Sequence, residues 1–274
     1  MKLFLQIEDS TYQVDSQAID IAIPMQFNGP QPNSYGVAAA TSQVYEGGGF
    51  VGDVRQGGGC NFETYTLTPH CNGTHTEGMG HIVAERLAVH ELLRDSWIPS
   101  TLISVTPQSA NATTDAYEPA LAAEDLVIDR AMIQKALADN PNGFLDALVI
   151  RTLPNERSKM NRDYMQTPPA FFTLEAMAEI RSRGVKHLLV DMPSVDRLFD
   201  EGKLNAHHIF WGLGAGQNSV ETSEINNRTI TEFIYVPDNV ADGIYLLDLQ
   251  IAAFMSDAAP SRPRLFGVTA RVLP

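Results

Sequence analysis

The sequence predicts an α/β fold, a single domain built on a mixed β-sheet flanked by helices. Three observations point there. Strand-like and helix-like stretches alternate through the middle of the chain, and both ends read almost wholly as strands. No internal repeat or long linker divides residues 1–274, so one domain is expected over that whole span.

The elements follow in order. Leu3 to Ile7 and Ala18 to Ile23 read as strands, separated by a polar turn. Residues 28–60, rich in Gly, Pro, Asn and Ser, read as a long loop. Phe62 to Thr68 alternates apolar and polar side chains, as a strand does. From His81 to Leu93 the pattern turns helical, with Ile82, Val89 and Leu93 on one stripe, and Pro99 is read as its stop. Leu102 to Val105 and Leu126 to Ile128 are strands, and Asp129 can cap a helix running to about Ala138. Phe144 to Ile150 is a buried strand. Thr173 caps a helix that presents Leu174, Met177 and Ile180 on one face and ends before Gly184. His187 to Val190 is the next buried strand, and Ile230 to Tyr235, Gly243 to Ala252 and Leu265 to Val272 complete the set.

Composition removes several function classes. Lys+Arg 19 against Asp+Glu 33 leaves a net charge of -14, which repels phosphate backbones and anionic membrane surfaces, so neither nucleic acid nor membrane is an expected partner. No apolar run approaches the ~20 residues that span a bilayer. The opening Met-Lys-Leu-Phe-Leu-Gln-Ile-Glu-Asp is broken by Gln6 and Glu8, too soon for the apolar core of an export signal. Two cysteines, Cys60 and Cys71, do not make a disulfide framework, and a reduced cytoplasmic setting is expected. The triplets Gly47–Gly49 and Gly57–Gly59 are not phosphate-cradle motifs and read instead as a mobile loop over a site. A Gly-x-Ser-x-Gly elbow is missing, so serine hydrolase chemistry has no support.

The chemistry-bearing segment is Pro69-His-Cys-Asn-Gly-Thr-His-Thr-Glu-Gly-Met-Gly-His81, which holds three of the seven histidines. In an extended Thr74–Glu77 stretch, His75 and Glu77 point the same way and can grip one ion. Gly73 lets the chain bend so that His70 or Cys71 turns back toward the same point. His81 can complete that site or reach a second ion. Imidazole and carboxylate together suit zinc, manganese or iron, and zinc favours few ligands with a position left open for water. A lone histidine is more often solvated or packed. Three of them with a glutamate around Gly-Thr favour a metal. His90 and His187 are read as structural histidines. His208 points about 100° away from its neighbour His207, so only one of the two can face the ion. Asp191, Ser194 and Asp196 are read as turn formers. Trp97, Trp211 and Phe50 are core residues by default, although they could pack against an aromatic substrate.

Gly73-Thr74-His75-Thr76-Glu77 with His81 resembles the signature His-x-Gly-Thr-His-x-Asp-x-x-x-His of the metal-dependent cyclase family, which includes bacterial kynurenine formamidase and isatin hydrolase. Asp146-Ala-Leu-Val-Ile-Arg-Thr152 is similar to the family's strand ending in Arg-Thr. Gly184-Val-Lys-His-Leu-Leu-Val-Asp-Met-Pro-Ser-Val-Asp196 resembles its Gly-Val to Asp-x-x-Ser-x-Asp segment. Ala206-His-His-Ile-Phe-Trp-Gly212 resembles its second histidine stretch. Glu232 with Val240 and Gly243, and Ala259-Pro-Ser-Arg262, resemble its closing segments. The likeness covers most of residues 18–274, in the family order.

That resemblance implies a swivelling β/β/α fold and an amide or cyclic-amide hydrolase, arylformamidase-like, with metal-bound hydroxide as nucleophile. A ring-closing or lyase reaction, or a binding protein that kept the fold without the chemistry, are the alternatives. It implies zinc or manganese, one or two ions, a small-molecule substrate such as an aromatic amide, and a homodimer or homotetramer. His70, His75 and Glu77 are assigned to one ion. His81, His207 and Glu232 serve a second ion, or catalysis if one ion is bound, with His81 and Glu232 as the catalytic pair. Glu77 stands where most members carry Asp. Cys71 stands where they carry the first histidine, and His70 is favoured over it because a bend before Gly73 absorbs one residue. Residues 214–228 read as an inserted polar loop, whose Glu221 or Glu224 competes with Glu232 for the late ligand position.

Overall fold

The computed structural model describes residues 3–141 and 143–271, so Val272, read as the end of the last strand, lies outside the described residues. Its frame is a ten-stranded sheet made of β1 (Leu3–Ile7), β2 (Ser10–Asp20), β3 (His75–Gly78), β4 (Ile98–Val105), β5 (Ala147–Thr152), β6 (His187–Val190), β7 (Thr229–Glu232), β8 (Gly243–Asp248), β9 (Ala258–Pro260) and β10 (Arg264–Arg271). The order across the sheet is β1-β2-β10-β8-β4-β5-β6-β7-β3-β9.

The four strands β4, β5, β6 and β7 run parallel. Their sequences explain this. β5 reads Ala-Leu-Val-Ile-Arg-Thr and β6 His-Leu-Leu-Val, and every residue of both is buried. Continuous burial is what a strand covered on both faces requires. One face packs Leu148, Ile150, Leu188 and Val190 against Ile133, Met177, Ile180, Phe210 and Trp211. The other turns Val149 and Leu189 toward Ile21, Leu102, Leu247 and Leu265. On either side of the parallel block the pairing is antiparallel.

Among the described residues five short helices accompany the sheet: α1 (Pro69–Asn72), α2 (Val89–Leu92), α3 (Arg130–Ala136), α4 (Leu174–Ser182) and α5 (Asn205–Trp211). The expected caps are present. Asp129 Oδ1 accepts the Met132 amide at 2.9 Å, and Thr173 Oγ1 accepts that of Ala176 at 3.1 Å. Gly184, at φ 85, closes α4 in the left-handed conformation that glycine adopts without strain.

The helix expected over His81–Leu93 does not form. A 3-10 turn over Met79–His81 is followed by bends, and only Val89–Leu92 is helical. Backbone donors here pair at long range, Ala84 N to Asn218 O and Val89 N to Ser256 O, both at 2.8 Å. The chain also folds tightly on itself, for a Cβ on Gly80 would lie 2.3 Å from Leu87 O. Ile82 still joins the core, so the apolar stripe is real but serves a wrapped loop. Pro99 falls inside β4. The 28–60 segment also holds more structure than expected: Thr41–Val44 pairs with Glu63–Thr66, and Glu46–Gly47 with Phe50–Val51. β7 stops at Glu232 because Phe233 takes a left-handed φ of 54.

A candidate metal centre

Register builds the floor of the site. β3 lies between β7 and β9, with His75 directly opposite Glu232 and Glu77 opposite both Ile230 and Ala258. His75 and Glu77, at alternate positions, share one face of the strand. Hydroxyl contacts hold the strand in place. Thr76 Oγ1 and Thr231 Oγ1 are 2.8 Å apart, and Thr74 Oγ1 donates to Phe233 O while accepting the Ile23 amide at 2.8 Å.

Four side chains meet on this floor. His75 and Glu77 are 0% exposed, and Glu232 and His207 are buried beside them. His75 Nε2 is 3.4 Å from Glu232 Oε2 and 3.9 Å from Glu77 Oε2. His207 Nε2 is 2.9 Å from Glu77 Oε1 and 3.8 Å from Glu232 Oε1. At the rim, His70 Nδ1 lies 3.0 Å and His81 Nε2 3.8 Å from Glu77 Oε2, and both side chains are 26% exposed. All six sequence-predicted residues, His70, His75, Glu77, His81, His207 and Glu232, therefore converge. Cys71 is buried but belongs to neither of the ligand groups that close on a point, and His70 reaches Glu77 from the helical turn α1 rather than from a bulge. Glu221 and Glu224 are exposed and cap a 3-10 turn of their own loop.

Two atoms test whether a cation fits. His75 Nδ1 sits 3.0 Å from Gly73 O, which fixes the ring proton there and leaves Nε2 a bare lone pair. That Nε2 and Glu77 Oε2 are buried without a hydrogen-bond partner, and the 3.0 Å approach of His70 to Glu77 lacks hydrogen-bond alignment. Each such orphan costs about 1–3 kcal/mol. Lone pairs of His75, Glu77 and Glu232 facing one another are what a divalent ion satisfies. Two sets place their ligand atoms within 4.8 Å of one another: His75 with Glu77 and Glu232, and His70 with Glu77 and His81.

The same crowding sets the charges. Burial alone would raise the Glu77 carboxyl, but His81, His207 and His70 hold it well below its ordinary range. Burial alone would lower His70, yet Asp257 and Glu77 push it up to about 10. His207 is likewise lowered by burial and raised more by Asp196 and Glu77, ending well above 6.5. In the ion-free protein, protons held on His70 and His207 supply the positive charge beside Glu77.

Two carboxylates had gone unrecognised as parts of the site. Asp196, read as a turn former, is fully buried and accepts the His207 ring through Nδ1. It also receives the Ala206 and His207 amides at 2.7 and 3.1 Å, capping α5 from a distance, and the Tyr117 hydroxyl at 2.6 Å. Its position in a loop after a buried strand was the available signal. Asp257 faces His70 and His81, and nothing in its local sequence marks it. The structural readings of the other histidines hold. His187 bonds Thr229 and Asp95, and His208 turns from the centre to the carbonyls of Leu204 and Gln217.

A cavity of about 660 Å³ opens beside His81, lined among others by Glu118, Lys203, Asn205 and Asn218. Among the described residues no helix is long and apolar enough to cross a membrane.

Residues 14–197 match the model of the family described as "Putative cyclase". Solved structures share the fold. Isatin hydrolase A from Ralstonia solanacearum superposes with a TM-score of 0.60 at 11% identity, covering 91% of both chains. Isatin hydrolase A from Labrenzia aggregata, bound to benzyl benzoate, gives 0.59 at 12% identity over 91% of this chain and 93% of the other. The predicted metal-dependent hydrolase from Bacillus stearothermophilus gives 0.56 at 16% identity over 91% and 98%. At such identities these likenesses establish the fold alone. No match to a curated protein is found.

Proposed function

The chain belongs to this cyclase family, and from that premise we propose that it is a metal-dependent hydrolase of an amide or cyclic amide. The observation that carries the proposal is the pair of orphaned atoms, His75 Nε2 and Glu77 Oε2, turned toward Glu232 in a buried pocket. His75, Glu77 and Glu232 would hold a divalent ion of the zinc or manganese class, with His207 beside them, and His70, Glu77 and His81 offer a second position. Such an ion, when bound, acidifies water and polarises a substrate carbonyl.

The remaining roles belong to the chain's own side chains. Glu232 is anchored, its Oε1 accepting the Val195 amide at 3.1 Å, so it serves better as a fixed ligand than as a proton carrier. His81 is half-buried, lines the cavity and sets Nδ1 toward Asp257. With its proton on Nδ1 and no ion in the second position, its Nε2 lone pair is the atom placed to take a proton from water and pass it on to a leaving nitrogen. Asp196 keeps the His207 ring oriented. The cavity wall carries an ion pair, Lys203 with Glu118 at 2.6 Å, and among its lining residues there is no Phe, Tyr or Trp. That lining supports a small polar amide over a flat aromatic one.

The test is a chelation cycle on purified protein, with formylated anilines, N-formyl amino acids and isatin-like lactams as substrates. Hydrolysis lost on chelation and restored by zinc or manganese is the expected outcome. Full hydrolysis by protein stripped of metal would remove the proposal.

A further inference from the structure

We infer that Asp257 is the positioning residue of the rim, fixing His70 and His81 in opposite tautomers so that their free nitrogens converge on Glu77. The inference rests on the metal-centre reading above and adds a residue to it.

Its placement comes from the sheet. Asp257 immediately precedes β9, whose Ala258 pairs with Glu77 of β3, and its own carbonyl accepts the Gly78 amide at 3.0 Å. Backbone register therefore sets Asp257 across the strand pair from Gly78, at a position fixed by the sheet and not by the turns that carry the two histidines.

One oxygen of that carboxylate meets both rings. Asp257 Oδ2 is 2.9 Å from His70 Nε2 and 3.3 Å from His81 Nδ1. On the far side of the same rings, Glu77 Oε2 is 3.0 Å from His70 Nδ1 and 3.8 Å from His81 Nε2. The rings stack between the two carboxylates, centroids 4.3 Å apart and planes 28° from parallel.

An ionised carboxylate only accepts, so each ring must turn an N–H toward Asp257. The nitrogens concerned differ, Nε2 in His70 and Nδ1 in His81. In neutral rings this leaves His70 Nδ1 and His81 Nε2 as lone pairs, both aimed at Glu77. Any other tautomer sets a bare nitrogen against the Asp257 oxygen and an N–H where a cation would sit. Hydrogen-bond partners of this kind commonly fix the orientation of metal-binding imidazoles. Here a single oxygen does so for two rings of opposite sense.

The test uses zinc-loaded protein with nitrogen-15-labelled histidine. Long-range proton–nitrogen spectra should show His70 protonated at Nε2 and His81 at Nδ1. Asp257→Ala should lose this fixed pattern and weaken zinc binding, measured by chelator competition, by about 10–100-fold. Asp257→Asn, which keeps one acceptor oxygen, should recover part of both. Wild-type protein that binds zinc with both rings in the same tautomer would overturn the inference alone, without any variant having to fold. Unchanged tautomers and affinity in Asp257→Ala would do the same. Wild-type protein that takes up no zinc would overturn the metal-centre reading and this inference with it.

Discussion

On the floor of the centre His75, Glu77 and Glu232 sit on paired strands, sealed from solvent, with His207 tied to Asp196. At the rim His70 and His81 come from a four-residue helical turn and a 3-10 turn, and both are about a quarter exposed. Sheet hydrogen bonds fix the floor, whereas the rim depends on side-chain contacts with Asp257. Dry, rigid groups suit holding an ion, while half-exposed imidazoles can exchange protons with solvent and substrate.

Removing a floor ligand breaks this contrast hardest. His75→Ala should abolish hydrolysis and metal uptake together, measured by elemental analysis and turnover. If the metal were lost with turnover intact, the floor would have no catalytic part. The rim should separate those two readouts. His81→Ala should keep an ion on the floor yet lose about 10²-fold in kcat. A parallel loss of metal would make His81 a ligand of the same rank as His75.

Asp196→Ala tests the support beneath the floor. It strips the His207 ring and two α5 amides of their acceptor, so unfolding by denaturant should show a loss of about 3 kcal/mol. An unchanged midpoint would mean that His207 is held by other contacts.

A pH series separates the ion-free from the loaded protein. His70 is raised to about 10 when folded, against about 6.5 for an unfolded histidine. The folded state therefore binds its proton more tightly. That stabilisation is complete below about pH 6.5 and fades as pH rises through 10. His207, also raised, acts in the same direction. The melting temperature of metal-free protein should fall over this window, and zinc uptake near neutral pH should release protons, visible by calorimetry in buffers of different ionisation heat. Proton-silent uptake would contradict it. Smallest of all, Glu224→Ala in the exposed loop should change stability by no more than about 0.5 kcal/mol and leave metal content alone. Loss of metal there would return the late ligand to residues 214–228.

The same contrast governs how much could be read in advance. His75 and Glu77 were legible because alternation along Thr74–Glu77 is a local signal of a strand, as continuous apolar runs were for β5 and β6, whereas Glu232 was marked only by the family resemblance. Helix geometry said only that one of His207 and His208 could face the centre, and the family resemblance, counted from Gly212, chose His207. The segment after His81 misled because Ile82, Val89 and Leu93 fall at helical spacing, while its backbone donors go to Asn218 and Ser256, partners that no local pattern reveals. Asp257 stayed hidden for the same reason, since it joins the rim only through the pairing of β9 with β3. Asp196 was visible as a residue, but its role needed α5 to be placed above it.

Anomalous scattering recorded at the zinc and manganese edges from a crystal of the protein tests the metal centre most directly. A peak bounded by His75 Nε2, Glu77 and Glu232 is the expected result. A floor with no peak in metal-soaked crystals, or a peak coordinated by side chains elsewhere, would contradict it.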